Sequence, residues 1–213
     1  MGALYAFDLQ PYMDKYGLKT YFETGTGEAI SLRHALKYNF EKYYSIDIDP
    51  QLTEKALPLK KQHSNLTLIS GYSRLAIEKY VPTLSPEEPV LFFLDAHFPG
   101  ADFHKISYEQ SIRKFRKDAF PLEDEVSLIR QHRDTSKDVF ILDDLVLYDK
   151  EGDYETIKEG VVWKYDWLQE ELGLLTDAGF IYNAFKETHT LEKDLRHQGY
   201  MIITPKENTE SIR

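Results

Sequence analysis

Short apolar runs alternate with amphipathic segments along most of the chain. The run at residues 90–94 is continuously apolar, which is typical of a central strand covered on both faces of a sheet. Between such runs, apolar side chains recur at helical spacing, as at Leu122, Val126 and Ile129. The predicted strands cover residues 19–23, 42–47, 66–70, 90–95 and 138–143, and the predicted helices cover residues 8–16, 28–38, 74–81 and 121–133, with another helix beginning at Pro50.

The last third of the chain has a different pattern. We predict a helix around Trp163 and Trp167, a strand that begins at residues 178–181 and a second strand at residues 199–203, the two strands forming an antiparallel pair. Strands that alternate with helices favour an α/β fold with a parallel sheet. We therefore expect one domain over residues 1–213, with a Rossmann-like doubly wound sheet that is mostly parallel with an antiparallel C-terminal strand pair.

Composition and charge argue against several classes of protein. The chain has 213 residues, no cysteine and a formal net charge of -10. Without cysteine, neither a disulfide nor a zinc–thiolate site can form. The negative charge disfavours a protein that wraps nucleic acid, no apolar run approaches the ~18 residues that span a membrane, and no signal-peptide pattern opens the chain. We expect a cytoplasmic protein that binds neither nucleic acid nor membranes; its oligomeric state is left open, a homodimer included.

A Gly-x-Gly turn directly follows the first predicted strand. That strand ends at Glu23, and the sequence Thr-Gly-Thr-Gly at residues 24–27 leads into a segment with helical spacing. Two glycines one residue apart allow positive φ and a close approach of the backbone to a ligand, and the following helix points its N-terminus at the same place. The pattern predicts a loop that binds a nucleotide cofactor.

Acidic side chains stand at the carboxyl ends of four predicted strands, namely Glu23, Asp47, Asp95 and the pair Asp143 and Asp144. Ligands of open α/β sheets bind beyond these strand ends. Asp47 ends the second strand, where a carboxylate can accept both hydroxyls of a ribose. Asp95, Asp143 and Asp144 can converge from adjacent strands, and hard oxygen ligands suit Mg²⁺ or another divalent cation. The simpler interpretation is that such aspartates cap loops and helix N-termini.

Together these motifs resemble the class I S-adenosylmethionine-dependent methyltransferases, and among them the small metal-dependent O-methyltransferases of natural-product and sugar type. The matching features are the acid before Gly-x-Gly, the acid that ends the second strand, the small loop after the third, the aspartate that ends the fourth and the Asp-Asp pair after the fifth. The resemblance implies an enzyme that transfers a methyl group from S-adenosylmethionine to a hydroxyl of a small-molecule acceptor. The cofactor residues that it implies are Glu23, Thr24, Gly25, Thr26, Gly27, Asp47, Ile48, Gly71, Tyr72, Ser73 and Asp95, and the metal ligands that it implies are Asp95, Asp143 and Asp144.

The segment after Asp95 departs from the catechol-type members, in which a lysine base closely follows that aspartate. Here His97 stands nearby, and no lysine occurs before Lys105. We predict Asp95 and His97 as catalytic residues, with His97 as the base or as a group that orients the acceptor, although a histidine after a strand often has only a structural role. The connection at about residues 97–120 is long and is predicted to be a lid or substrate insertion. Its basic cluster is a solvated helix face or an anchor for an anionic acceptor, and consists of Arg113, Lys114, Arg116 and Lys117.

Two other functions compete with this interpretation. A NAD-type Rossmann oxidoreductase also uses Gly-x-Gly and a ribose acid, but its fingerprint has a third glycine near Ile30, and Glu28 at the start of the helix would repel a pyrophosphate. A non-catalytic cofactor-binding scaffold would keep the loop and lose a usable acceptor site. The acids at four strand ends argue against the scaffold.

Overall fold

Seven strands of the described part of the chain form one mixed sheet, in the order β3-β2-β1-β4-β5-β7-β6. The structure is a computed structural model that describes residues 4–149 and 177–207. Strands β1 to β5 are parallel, and β7 is antiparallel to β5 and to β6. The strands are β1 Thr20–Thr24, β2 Lys42–Asp47, β3 Leu66–Ser70, β4 Val90–Leu94, β5 Val139–Leu142, β6 His189–Asp194 and β7 Tyr200–Pro205. The predicted fold class is confirmed.

Helices cover both faces of this sheet, and their ends follow local signals. Asp49 caps the third helix by accepting the Gln51 N–H, and Pro50 occupies its first turn. The fifth helix opens with a capping box between Ser107 and Gln110. Among the described helices, none has the length and apolar content needed to cross a membrane. The helices are α1 Gln10–Tyr16, α2 Ile30–Ala35, α3 Pro50–Gln62, α4 Ser73–Tyr80, α5 Tyr108–Phe115, α6 Leu122–His132 and α7 Gly179–Phe185.

Two apolar clusters lie on opposite faces of the sheet, as the side-chain alternation of a strand requires. On β4, Phe92 belongs to the cluster that packs against α4, α6 and α7, whereas Leu91 and Phe93 belong to the cluster that packs against α2 and α3. All five residues of β4 are buried. The continuously apolar run at residues 90–94 is thus the doubly covered central strand that its sequence predicts.

The register of the parallel strands brings their carboxyl ends to one edge of the sheet. Thr24 pairs with Ile46 of β2 and with Leu94 of β4. Leu94 in turn pairs with Leu142 of β5. The last residues of these strands and those that follow them, the predicted acids included, therefore lie side by side at this edge.

One predicted strand of the C-terminal region is wrong. Residues 178–181 begin helix α7 rather than a strand, because Ile181 and Phe185, four residues apart, face the same apolar cluster. The antiparallel pair does close the sheet, but its first strand is β6, which pairs with β7 from His189–Pro205 to Asp194–Tyr200. The predicted helix around Trp163 and Trp167 lies outside the described residues.

A buried ion pair lies at the opposite edge of the sheet, where β5 begins. Arg133 donates from Nε to Asp138 Oδ2 at 2.8 Å and from Nη2 to Asp138 Oδ1 at 3.0 Å. Asp138 Oδ1 also accepts the Val90 N–H at 2.9 Å, and Arg133 Nη2 also donates to the Glu88 carbonyl at 3.1 Å. The pair therefore joins the end of α6 to the starts of β4 and β5.

Candidate functional site

A cleft of about 840 Å³, counted with its open mouth, lies at the carboxyl edge of the parallel strands. Residues that follow β1, β2, β3 and β4 line it, together with the start of the connection after Asp95. The sequence-predicted residues that line this cleft are Gly25, Gly27, Asp47, Ile48, Gly71, Tyr72, Ser73, Asp95 and His97. The structure thus brings most of the predicted cofactor residues together in one cavity.

Gly25 permits a close contact between the loop after β1 and the end of β4. Its φ is +83°, and a Cβ atom at this position would lie 2.5 Å from the carbonyl oxygen of Asp95. Such a distance is excluded for a real side chain, so only glycine fits here without a backbone shift. The Gly25 N–H donates to the Ile46 carbonyl at 2.8 Å, which ties the loop to β2 as well.

Asp47 ends β2 and lines the cleft while holding the backbone around it. Its Oδ2 accepts the Gly27 N–H at 2.8 Å, and its Oδ1 accepts the Asp49 N–H at 2.8 Å. Each carboxylate oxygen keeps a further lone pair for a ligand. Burial raises the pKa of Asp47, and these two backbone hydrogen bonds oppose the rise. Asp47 is therefore both the organiser of the Gly-x-Gly loop and a hydrogen-bond acceptor within the cleft.

The side chains of three predicted cofactor residues face away from the cleft, since Glu23, Thr24 and Thr26 are buried and do not line it. Glu23 accepts the Tyr21 hydroxyl at 2.5 Å and the Ser45 hydroxyl at 2.6 Å. Burial raises the pKa of the Glu23 carboxyl to about 8, against the effect of those two hydrogen bonds. Glu23 therefore lies on the core side of the loop and stabilises it there.

Replacing Glu23 by glutamine should remove a pH dependence of folding stability. The raised pKa means that folded Glu23 keeps a proton that the unfolded chain releases, so its contribution is fully present below pH 4.5 and is lost as the pH rises to about 8. Glu23 alone should make the unfolding free energy of the parent fall by up to about 1.4 kcal/mol per pH unit in this window, in addition to the effect of other buried acids. Urea unfolding of Glu23→Gln across the window should show a smaller fall, with Glu54→Gln as an exposed control. An identical slope in parent and variant would mean that Glu23 is ionised in the folded protein.

Sequence analysis missed another buried acid behind the loop, Glu125 of α6. Its Oε2 accepts the Thr24 hydroxyl at 3.1 Å, and its side chain also interacts with Ser73 of the cleft. Burial raises the pKa of Glu125 to about 7. An acid inside an amphipathic helix gives no sequence signal that separates it from a solvated one, because only the packing of α6 buries it.

The cleft is strongly acidic. Five carboxylates line it, and among the described residues no lysine or arginine does. Two of the five are paired with cations outside the lining, since Lys105 contacts Asp49 and Arg74 contacts Asp118. The cleft therefore attracts cationic groups and repels phosphates. The five carboxylates belong to Asp47, Asp49, Asp95, Asp102 and Asp118.

A second, much smaller cavity, of about 210 Å³ counted with its open mouth, adjoins the cleft and is lined by the predicted metal ligands. Asp95, Ala96 and His97 line both cavities, whereas Asp143 and Asp144 line only the second one. His97 Nε2 lies 3.3 Å from Asp95 Oδ1 and 2.5 Å from Asp144 Oδ2. One ligand atom from each of these three side chains lies within 4.8 Å of the others.

The pKa values of Asp95, Asp143 and His97 are shifted because several carboxyl groups are crowded together in a buried place. Burial raises the pKa of Asp95 to about 6, and it raises the pKa of Asp143 well above its usual range, with Asp95 and Asp144 adding to the effect. Burial alone would lower the pKa of His97, but Asp144, Asp95 and Asp102 raise it well above the usual value. The geometry thus favours a positive charge between the carboxylates.

A divalent cation fits the donor set of this second cavity. Asp143 Oδ2 and Asp144 Oδ1 are buried and have no hydrogen-bond partner among the described residues. Buried carboxylate oxygens are costly unless they are paired with protons, donors or metal ions. Asp95 and Asp144 can serve as the predicted ligands. Asp143, the third predicted ligand, lines the cavity but does not belong to the set of ligand atoms within 4.8 Å, where His97 takes its place.

The predicted insertion at residues 97–120 forms one wall of the cleft. Phe98 is buried in the apolar cluster that packs against α4, α6 and α7, which attaches the segment to the core, and its ring packs edge-on against Tyr108 and Phe120 of the same segment. Asp102 and Phe103 of this segment line the cleft. Sequence analysis missed Asp102 as a candidate, since a lone aspartate in a loop carries no signal. The basic side chains of Arg113, Lys114, Arg116 and Lys117 are exposed and do not line the cleft.

No protein-family model and no curated protein match this sequence. Solved structures do share its fold. A provisionally assigned caffeoyl-CoA O-methyltransferase from Staphylococcus aureus has a TM-score of 0.57 at 12% identity, over 93% of this chain and 81% of that chain. The O-methyltransferase from Bacillus cereus in complex with S-adenosylhomocysteine has a TM-score of 0.52 at 12% identity, over 93% of this chain and 79% of that chain.

A spermidine synthase in complex with the transition-state analogue AdoDATO is also similar, with a TM-score of 0.50 at 14% identity, over 89% of this chain and 56% of that chain. A fold hosts more than one chemistry, so the fold by itself does not decide which group is transferred. The sheet order, the Gly-x-Gly loop and these solved structures together give the chain the fold of the class I S-adenosylmethionine-dependent methyltransferases, and its structure resembles the O-methyltransferases of that class.

Proposed function

We propose that this protein binds S-adenosylmethionine and transfers its methyl group to a hydroxyl of a small-molecule acceptor with the help of a divalent cation. The observation that carries the proposal is the position of Asp47 in a cleft lined by carboxylates, with no lysine or arginine in the described lining. The two ribose hydroxyls of the cofactor need a hydrogen-bond acceptor, which Asp47 offers. Its cationic sulfonium and ammonium groups need negative charge nearby, which the other carboxylates of the cleft supply.

The remaining lining suits the other parts of the cofactor. Gly25 and Gly27 both have positive φ and present backbone rather than side chains to the cleft. Tyr72, at 40% exposure, and Ser73 follow β3 and offer a flat ring and a hydroxyl to an adenine. Thr24 and Glu125 join the loop after β1 to the region of Ser73. These contacts support a rigid site that needs little rearrangement on binding.

Methyl transfer is a displacement at carbon. The acceptor oxygen attacks the methyl carbon, the carbon–sulfur bond breaks with its electrons passing to sulfur, and the hydroxyl proton passes to a base. Much of the rate comes from holding oxygen, carbon and sulfur in line. Asp95 and His97 line both cavities, so an acceptor hydroxyl held beside these two residues would face a cofactor in the cleft.

A bound divalent cation would lower the pKa of the acceptor hydroxyl and orient its oxygen. Asp95 and Asp144 are the residues that would hold it, with Asp143 close by in the same cavity. His97 has two roles open to it, as the base that the sequence predicts or as a further ligand of the cation. Insertion residues such as Phe103 would limit the size of the acceptor and exclude water from one side of the cleft.

The alternatives gain no support from the cleft. A NAD-type oxidoreductase has to hold a pyrophosphate, and the lining carboxylates would repel it. A non-catalytic scaffold would not need a second cavity with buried, unpaired carboxylate oxygens beside the cofactor cleft.

Calorimetric titration with S-adenosylhomocysteine tests the proposal directly. We expect micromolar binding of S-adenosylhomocysteine, with or without chelator, and no binding of NAD at the same concentration. Binding would justify a screen of hydroxylated acceptors with labelled S-adenosylmethionine. Absence of S-adenosylhomocysteine binding, or a preference for NAD, would overturn the assignment.

A further inference from the structure

We propose that His97 is a nitrogen ligand of the divalent cation, oriented by Asp102, and that this site therefore prefers a first-row transition metal such as Mn²⁺ or Co²⁺ over Mg²⁺. The inference deepens the proposed function and rests on it for the role of the metal. The resemblance to metal-dependent O-methyltransferases implies three acidic ligands instead, Asp95, Asp143 and Asp144.

The donor atoms of His97, Asp95 and Asp144 lie close together. His97 Nε2 lies between two carboxylates, 3.3 Å from Asp95 Oδ1 and 2.5 Å from Asp144 Oδ2. The three donor atoms lie within 4.8 Å of one another. Ligands bound at about 2.1 Å on one metal ion lie about 3–4 Å apart, so small side-chain shifts would complete the coordination. The imidazole nitrogen thus lies close to a ligand position, which it would reach by moving slightly away from Asp144.

A buried carboxylate outside these three donors also points to a cation in this cavity. Asp143 is 3% exposed, and its Oδ2 is buried with no hydrogen-bond partner among the described residues. It lines the same cavity of about 210 Å³ as the three donor side chains. A dication there would compensate Asp95, Asp143 and Asp144 together, which a single protonated histidine does not.

The other imidazole nitrogen of His97, Nδ1, lies near the carboxylate of Asp102. His97 Nδ1 makes no hydrogen bond among the described residues, but it lies 3.4 Å from Asp102 Oδ2, close enough for a small rotation of the ring to form one. Asp102 Oδ1 accepts the Tyr108 hydroxyl at 2.6 Å. Tyr108 is the first residue of α5, and its ring packs against Phe98. A histidine that binds a metal commonly gives its second N–H to a carboxylate, which sets the tautomer and the ring orientation. Asp102 and Tyr108 are therefore positioning residues supplied by the insertion.

The choice of metal follows from the donor types. Carboxylate and water ligands suit Mg²⁺, whereas an imidazole ligand suits the first-row transition metals. A site of two carboxylates and one imidazole should therefore discriminate against Mg²⁺. The same geometry leaves His97 Nε2 bound to the cation, so the acceptor proton has to leave to another group or to water.

Metal binding to the purified, chelator-treated full chain tests the inference without any acceptor. We expect Mn²⁺ to bind at least about 10-fold more tightly than Mg²⁺. Electron spin-echo envelope modulation of the bound Mn²⁺ should show coupling to a directly bound ¹⁴N. His97→Gln replaces the nitrogen by an oxygen donor of similar reach and should abolish the ¹⁴N coupling and most of the preference for Mn²⁺. Asp102→Asn should weaken Mn²⁺ binding by about 10- to 100-fold.

His104→Asn is the matched control, because His104 is an exposed histidine of the same segment and asparagine tolerates its left-handed backbone. It should change neither affinity nor coupling. Equal Mn²⁺ and Mg²⁺ affinities, or ¹⁴N coupling that survives His97→Gln, would show that His97 is not a ligand. Titration of each preparation with S-adenosylhomocysteine separates the hypotheses. Cofactor binding without metal binding overturns this inference and the metal-assisted step but leaves the methyltransferase assignment standing, whereas absence of cofactor binding overturns the assignment itself.

Discussion

Replacing Asp47 by alanine should weaken the binding of S-adenosylhomocysteine by about 10- to 100-fold, since a hydrogen bond to a charged group contributes about 1.5–3 kcal/mol. Asp47 lines the cleft at the end of β2, and both of its carboxylate oxygens already accept backbone N–H groups. The change removes the acceptor for the ribose and also frees the Gly27 N–H. Calorimetry on parent and variant measures the loss.

The two effects of this change can be separated with a cofactor analogue that lacks the ribose 2′-hydroxyl. If Asp47 accepts that hydroxyl, the parent should discriminate against the analogue and Asp47→Ala should not, which is a double-mutant cycle between protein and ligand. Glu54→Ala removes an exposed charge from the neighbouring α3 and should leave the affinity unchanged. Equal discrimination by parent and Asp47→Ala would place the ribose elsewhere.

Replacing Asp138 by alanine should lower the free energy of unfolding by about 3–5 kcal/mol, because it leaves the buried guanidinium of Arg133 without its partner. The side chains of Arg133 and Asp138 are 3% and 0% exposed, and the Val90 N–H also loses its acceptor. Urea unfolding near pH 7.5 measures the effect, above the pKa of about 6 to which burial raises Asp138.

The neighbouring ion pair of Lys137 and Glu87 provides the control for this prediction. It links the same two regions of chain, but both side chains are largely exposed, so Glu87→Ala should hardly change the unfolding transition. Replacing Arg133 by methionine together with Asp138 by leucine should restore much of the loss, since no unpaired charge then remains buried. A small effect of Asp138→Ala alone would mean that water or a shifted side chain reaches Arg133.

Strong local patterns allowed much of this fold to be predicted. Strands β2 and β3 have the predicted bounds, because short runs rich in aromatic and β-branched residues between polar segments leave few alternatives. Residues 178–181 were misassigned since a short apolar run suits a strand and a helix equally well. Helix α2 begins later than the predicted residue 28 because Ala29 adopts a left-handed conformation, with φ of 59°, and it ends at Ala35 rather than at residue 38.

Only part of the candidate site could likewise be predicted from the sequence. The acid at each strand end and the glycines of the loop can be read from the chain, because parallel strands must end at one edge of the sheet. Helix packing then buried Glu125, and the path of the insertion brought Asp102 to His97. These two contacts join residues that are distant or unpatterned in sequence.

What the sequence by itself determined is the alternation of strands and helices, the tight loop after β1 and the row of acids beyond the parallel strands, since each depends on neighbouring residues. Only the tertiary structure decided which acids face a cavity and which lie behind it. Glu23 supports the loop and Asp47 lines the cleft, although both are acids at strand ends. The tertiary structure also put His97, rather than Asp143, between Asp95 and Asp144. The physical reason is that burial and side-chain direction depend on packing between elements distant in sequence, which no local pattern encodes.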